Sequence, residues 1–420
     1  MPSVQMHPSP EVRPSSARPR VALVCDFVEE KWPSMDLVAE MLSSELQAHH
    51  SSEFNVERLC PPMAMRFSRV PGLGERKVLR NADRLANRFF DYPRWLRRRA
   101  QDFDLFHLVD HTYAQLVHEL PAERTVVTCH DLDAFRCLLN PDREKRPRWF
   151  RAMIARVLEG LQRAAHIITV SYAVRDQLLQ YAIVPSDRIS VIPNGLHPSC
   201  RSEPDSIADS QAAGLLPNVP GALWLLNVGS MMRRKRLDVL LQVLAAVRED
   251  FPQVRLIRVG GQWTPDLAHM ALDLGVEQAI VDLPFLSRPA LAAIYRRADL
   301  LVHTADAEGF GLPLIEAQAS GCPVVASDLP VLREVGGTAA CYAPVGDIAA
   351  WKQAVAKLLR ERIAAGPEWR DQQDRSLANA ARYSWTEAAA RTADLYRSVL
   401  ERAGSTLLPV KPELIRTALE

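Results

Sequence analysis

Residues 299–327 contain Asp299-Leu-Leu-Val-His303, Glu308-Gly-Phe-Gly-Leu-Pro-Leu-Ile-Glu316 and Pro323-Val-Val-Ala-Ser327. Two short apolar runs enclose a glycine-bearing turn and a helix start, the pattern of a strand–helix–strand unit in a parallel sheet. Proline is favoured in the first helical turn, where its missing N–H has no partner to lose, so the helix is predicted to begin near Leu312 or Pro313. Glu308 then lies in the loop ahead of the helix and Glu316 about one turn inside it. The N–H groups of residues 309–314 are expected to point between the two carboxylates. Gly309 and Gly311 lack a Cβ and let those amides approach a bulky anion such as a diphosphate. Carboxylates touching a phosphate would repel it, so they are expected to accept from hydroxyls on either side, one on a sugar and one on a ribose. The plainer reading is a polar loop before a helix with a surface glutamate.

The same alternation extends in both directions. Upstream, apolar runs begin at Val21, Phe54, Leu105, Thr125, His166 and Ile189, separated by helical patterns. A second series begins at Trp224, Val254, Ala279, Asp299 and Pro323. The prediction is an α/β chain with two doubly wound, Rossmann-like domains facing a central cleft, where ligands bind at the carboxyl ends of the strands. Residues 1–19, rich in Pro and Ser, are expected to be disordered, followed by a first domain over 20–197. Residues 198–221, with four prolines and many small polar side chains, are taken as a linker. A second domain is expected over 222–384, then a C-terminal helix over 385–403 that could pack back on the first domain, and a loosely held tail over 404–420.

The 420 residues are enough for two or three domains, and 48% hydrophobic with 24% charged residues is a globular composition. A formal charge of +1 argues against nucleic acid as the main partner. No run is long and apolar enough for a membrane span or a signal core, which predicts a cytoplasmic protein. The seven cysteines are scattered and never spaced as CxxC, so neither a disulfide framework nor a zinc site is expected. Two stretches, 88–99 and 143–156, interleave Arg with Trp or Phe. They suit either an anionic membrane surface or a phosphate-linked lipid, or else an ordinary domain helix with Arg facing water.

The second series opens with a strand running into Gly229-Ser-Met-Met-Arg-Arg-Lys-Arg236 and an amphipathic helix. Cations at a strand end facing the cleft, Arg234 and Lys235 above all, would neutralise the charge of a departing diphosphate. In the first domain a strand ends at His130-Asp-Leu-Asp133, and the imidazole of His130 is expected to hydrogen-bond a donor hydroxyl or to organise the reacting centre. Asp131-x-Asp133 is read as loop and cap chemistry, not as a metal site. Gly72-x-Gly74 follows no strand and is read as a loop. The motifs of P-loop hydrolases, dinucleotide dehydrogenases, zinc proteases and serine hydrolases are absent.

Taken together, the segments at 126–132 (VVTCHDL), 167–179, 189–198, 226–241 (LNVGSMMRRKRLDVLL), 256–261, 291–302, 308–337 and 381–385 (ARYSW) resemble the family 4 glycosyltransferases, retaining enzymes of the GT-B fold. The resemblance implies a hexosyltransferase using a donor such as UDP-glucose or GDP-mannose, with a glycan, glycolipid or small sugar as acceptor. No metal or cofactor beyond the donor is implied. Glu308 would contact the donor hexose and Glu316 the ribose. Phe310 and Gly311 would meet the sugar and diphosphate, Arg234 and Lys235 would hold the phosphates, and His130 would lie beside the transferred sugar. Gly229, Ser230, Gly309 and Leu312 complete the implied donor site. The chain departs from the family at Asp26–Asp36, where many members carry a glycine-rich loop, and at Ser230, where some carry an arginine whose charge Arg233 or Arg236 could replace. Rival readings are a catalytically silent nucleotide-sugar-binding or scaffold protein, a phosphorylase and an epimerase.

Overall fold

A computed structural model of the chain describes residues 18–69 and 77–407. Most of the expected disordered segment, the loop at Gly72–Gly74 and the tail beyond residue 407 lie outside the described residues. Twelve strands form two six-stranded sheets. The first contains β1 (Arg20–Val24), β2 (Asn55–Leu59), β3 (Leu105–Leu108), β4 (Thr125–Cys129), β5 (His166–Thr169) and β6 (Ile189–Val191), in the order β2-β1-β3-β4-β5-β6. The second contains β7 (Leu223–Val228), β8 (Val254–Val259), β9 (Ile280–Leu283), β10 (Leu300–His303), β11 (Val324–Ser327) and β12 (Ala340–Ala343), in the order β12-β11-β10-β7-β8-β9. Every pairing is parallel, for example Val126↔His166 and Leu301↔Val324. Helices cover both faces, so strands such as β4 and β10 are buried at every residue and read as unbroken apolar runs. β12 was not anticipated, because Ala340-Cys-Tyr-Ala343 carries little β-branched signal.

In each sheet the order reverses once at an internal pair, between β1 and β3 and between β7 and β10. Those crevices, outside the carboxyl ends of the strands, are where a doubly wound sheet binds ligands.

The stretch 198–221 is more than the linker expected from its composition. It holds a helix, Ser206–Leu215, whose N-terminus is capped by the Asp205 carboxylate accepting from Ile207 N and Ala208 N at 3.2 and 3.0 Å. Ala208 and Ala212 are buried in the core of the second half, and Asp209 pairs with Arg296 at 2.7 Å. Small residues that look loop-like in sequence allow this helix to lie close on the helix Arg288–Arg297.

The helix Trp385–Leu407 crosses back to the first half. Trp385, Ala389, Tyr396 and Val399 share one apolar cluster with Val21, Leu37 and Leu46. Tyr396 Oη sits 2.6 Å from Nδ1 of His107, whose Nε2 lies 2.7 Å from Thr128 Oγ1. Burial, helped by His130, pushes His107 down to about 3. With an unfolded value near 6.5, the unfolded chain binds more protons between those limits, so stability rises with pH across that window and is lost as pH falls through it. The expected result is a urea midpoint that declines steadily below about pH 6.5, at up to about 1.4 kcal/mol per pH unit for each such histidine. His107→Gln should make the decline shallower, and an unchanged slope would show that His107 does not drive it.

The stretch at 88–99 is divided. Arg88 is largely buried against the Tyr113 ring with its guanidinium carbon 4.0 Å from the centroid, and Tyr92, Pro93 and Leu96 are buried, whereas Phe90 is 71% exposed and Arg94, Arg97 and Arg98 face solvent. The 143–156 stretch also presents an aromatic edge, with Trp149 62% exposed among Arg146, Arg148 and Arg151. Among the described residues no helix is long and apolar enough to cross a membrane.

Candidate functional site

The β7/β10 crevice carries the densest charge. β10 ends at His303, and five residues later the Glu308 carboxylate is buried among three donors. Its Oε1 lies 2.9 Å from His303 Nε2 and also accepts from Lys235 Nζ, while Oε2 accepts from Arg234 Nη1 at 3.2 Å. Burial alone would raise this carboxyl. Lys235, His303 and Arg234 outweigh it and hold Glu308 well below the ordinary range. His303, by contrast, is lowered, chiefly by burial, despite its bond to Glu308.

The helix after Glu308 runs Leu312–Ala319, starting where Pro313 predicts. Gly311 caps it at φ 95°, a left-handed conformation, with Leu332 Cδ2 only 2.9 Å from where a Cβ would stand. One expectation needs correcting: Leu314 N–H is used on the Gly311 carbonyl at 2.9 Å, so the amides facing the crevice end at Leu312. Phe310 is likewise turned inward, packed edge-on against Tyr383 with centroids 5.6 Å apart, and offers a ligand its main chain only. Glu316 is buried one turn into the helix and accepts from Tyr295 Oη at 2.9 Å. Burial raises its carboxyl, against the smaller pull of Tyr295 and Arg288.

The Arg234 and Lys235 side chains meet at the Glu308 carboxylate and diverge elsewhere. The Lys235 side chain lies against Gly229, its Cε 3.5 Å from the position a Cβ would take there. Arg234 faces the first half instead. Its Nη1 donates to the Ala307 carbonyl at 2.9 Å, its Nη2 is 3.6 Å from Asp131, and its Nε is 3.3 Å from Asp133. Ser230 is half-buried. Of the two residues that could supply the missing arginine charge, Arg236 is paired with Asp238 at 2.8 Å, whereas Arg233 is exposed.

The first half meets this site through the ends of β4 and β5. His130 is buried, and its Nε2–H donates to the Val109 carbonyl at 2.8 Å, leaving Nδ1 as the acceptor of a ring that burial keeps neutral. Its imidazole is therefore anchored to its own domain and not free in the cleft. Its carbonyl oxygen closes on Gly309, standing 1.7 Å from where a Cβ on that glycine would be. Ser171 Oγ donates to the Gly309 carbonyl at 2.8 Å, and Glu334 accepts from Tyr172 N and Ala173 N at 2.7 and 2.9 Å, capping a first-half helix from the second half. Asp131 and Asp133 do show loop chemistry, Asp133 N donating to Asp131 Oδ1 at 2.9 Å, and in addition bridge to Arg234. Among the described residues no group of three or more His, Cys, Asp or Glu side chains is arranged to hold a metal.

Several participants were not recognised from sequence. His303 and Tyr295 were hidden inside apolar patterns, although a histidine at the last position of a strand is a readable signal. At the β1/β3 crevice, Asp26 is buried with both carboxylate oxygens unpartnered, and burial together with Asp110 raises it. Asp110 is held ionised despite its burial by His111, 3.2 Å away, and by Thr112 N–H and Oγ1–H. These residues lie at the start of the atypical 26–36 loop and beneath it, and only the pairing of β1 with β3 brings them together.

Two family profiles match the chain in order: Glycosyltransferase Family 4 over residues 38–199 and Glycosyl transferases group 1 over 218–382. The O-antigen chain mannosyltransferase RfbU of Salmonella typhimurium is 30% identical over 242 residues, 57% of this chain and 62% of that protein. The O-antigen chain mannosyltransferase B of Escherichia coli is 29% identical over 310 residues, 72% of this chain and 78% of that protein. The chain thus spans under two thirds of the first relative's length and more of the second's. Sucrose-phosphate synthase from Thermosynechococcus elongatus superposes with a TM-score of 0.68 at 19% identity, covering 92% of this chain and all of that one. The architecture is GT-B, and with one profile on each sheet the chain belongs to the family 4 glycosyltransferases.

Proposed function

We propose that the protein is a retaining glycosyltransferase that moves a hexose from a nucleotide-diphosphate sugar to a carbohydrate or lipid-linked acceptor. The observation that carries this reading is Glu308, ionised and bracketed by Lys235, Arg234 and His303, immediately ahead of a glycine-capped helix start at the β7/β10 crevice. A helix start with free amides suits a diphosphate, and Lys235 adds the positive charge that grows in value as the diphosphate leaves. Glu308, shared among three donors, keeps one lone pair on Oε2 to offer a hexose hydroxyl. Glu316, deeper in the second half, is suited to ribose hydroxyls. The acceptor hydroxyl attacks the anomeric carbon from the face the diphosphate leaves, through an oxocarbenium-like centre, and its proton passes to the departing diphosphate oxygen. No step needs a metal or a further cofactor. Two relatives named as mannosyltransferases support mannose as the transferred hexose. The exposed edges around Phe90 and Trp149 are parts of the first half suited to peripheral contact with an anionic membrane.

Thermal unfolding with UDP, GDP, ADP and their sugar conjugates tests the donor site. A ligand at 100 times its dissociation constant adds about 2.7 kcal/mol. The expected result is a rise with one base family, reduced in Glu316→Gln, which keeps the side-chain shape beside Tyr295. No rise with any nucleotide at millimolar concentration would overturn the reading.

A further inference from the structure

We propose that the open cavity bordering Glu308 is the acceptor site and that it takes an uncharged carbohydrate in preference to a phosphorylated one. This rests on the reading of Glu308 as the residue that holds the transferred hexose, since whatever fills the cavity then stands beside that sugar. The cavity has a volume of about 590 Å³, within the roughly 300–1,000 Å³ of small-molecule sites. Its first-half wall is the helix Tyr172–Gln180 with Tyr181 just beyond, which supply the amides of Gln177 and Gln180 and a phenol. The opposite wall is the Asp306–Glu308 turn and the start of the helix Pro330–Gly336. Leu139, Leu329 and Val331 add apolar surface. Amides and a phenol beside a small apolar patch match the hydroxyls and C–H faces of a sugar ring.

Charge decides between sugar classes. Asp131, Asp133, Asp176, Asp306 and Glu308 line the cavity against Arg136 and Arg234, and with Arg175 on Asp176 at 2.7 Å and Lys235 on Glu308 the five carboxylates meet four cations, a formal excess of one negative charge with every cation already paired. Neither lining guanidinium is available to an anion. Arg136 is paired with Asp133 at 2.8 Å, and Arg234 is divided among Asp131, Asp133 and Glu308. Burial, and after it Asp131, raises the Asp133 carboxyl in spite of both arginines. A phosphomonoester would enter with about −1.5 to −2 charge and find no cation to receive it. Hydroxyl groups would find carboxylates ready to accept from them.

Saturation-transfer NMR on the full chain, with mannotriose and mannose 6-phosphate as probes and no donor present, reads this directly. Wild type is expected to saturate mannotriose and not mannose 6-phosphate. Gln177→Trp, a change at an exposed helix position, fills the cavity and should weaken mannotriose binding about tenfold or more, roughly 1.4 kcal/mol. Its thermal response to nucleotides should stay as in wild type. Replacing Asp176 and Asp306 together by Lys should bring in mannose 6-phosphate. Undiminished mannotriose binding in Gln177→Trp, or a wild-type preference for the phosphorylated sugar, would overturn the proposal. Failure of the donor reading would show separately, as the absence of any nucleotide response in wild type.

Discussion

Glu308→Gln is expected to lower kcat/KM for sugar transfer by on the order of 10²- to 10³-fold, the scale on which removing one preorganised electrostatic group acts. The substitution keeps the shape of the side chain and removes its charge. Lys235 and Arg234 would then lack their shared counter-charge, and His303 would face an amide. Glu308→Ala is the harsher change, because truncating one member of a buried charge cluster typically destabilises by about 3–5 kcal/mol. Comparing the two variants separates lost chemistry from lost folding. The acid limb of the stability curve gives a second readout. Because the folded-state value of Glu308 is depressed, its contribution is present above the unfolded carboxyl range and is lost as pH falls through the folded value. Glu308→Gln should therefore flatten that limb. A Gln variant with wild-type turnover would remove Glu308 from the mechanism.

Gly309→Ala should have an effect of similar size by a different route. The new Cβ would stand 1.7 Å from the His130 carbonyl oxygen and 3.0 Å from Asp131 Cβ. The first contact is with backbone, which cannot yield as a flexible side chain would. The added methyl group must therefore push apart the two loops through which the halves touch. That movement would also strain the Ser171–Gly309 hydrogen bond and the Arg234 bridge to Asp131 and Asp133. Small-angle scattering is expected to show a more open particle, and kcat should fall by about 10²-fold, as a misplacement of roughly 1 Å can cause. Nucleotide binding should weaken less than kcat, since Lys235, Glu316 and the helix start belong to the second half alone, although the Gly309 amide is itself part of the implied donor site. Unchanged scattering together with unchanged kcat would show that the contact yields at little cost.

Much of the fold was legible in local pattern. Parallel strands buried on both faces appear as short β-branched runs, and eleven of the twelve could be located from hydrophobicity and punctuation. β12 and the helix Ser206–Leu215 escaped because alanine-rich segments owe their structure to close packing, which leaves no periodic apolar signal. Pro313 marked its helix start, because its ring restricts backbone angles whatever surrounds it, whereas the capping role of Gly311 came from the structure.

Side-chain partners were not legible in the same way. Arg234 and Lys235 are adjacent and chemically alike, yet one reaches across to the first half and the other stays by Gly229. Phe310 lies between two glycines in a loop suited to ligand contact, yet its ring is buried against Tyr383, contributed from 73 residues further along the chain. His130 follows directly on β4, which points at the cleft, yet its imidazole is held by Val109, just past the end of β3. Backbone conformation and strand order follow from short-range sterics and the periodicity of burial, which neighbouring residues encode. Where a charge or a ring finally points depends on which distant groups the packed sheets bring within about 3 Å of it, and that distance exists only once the chain has packed.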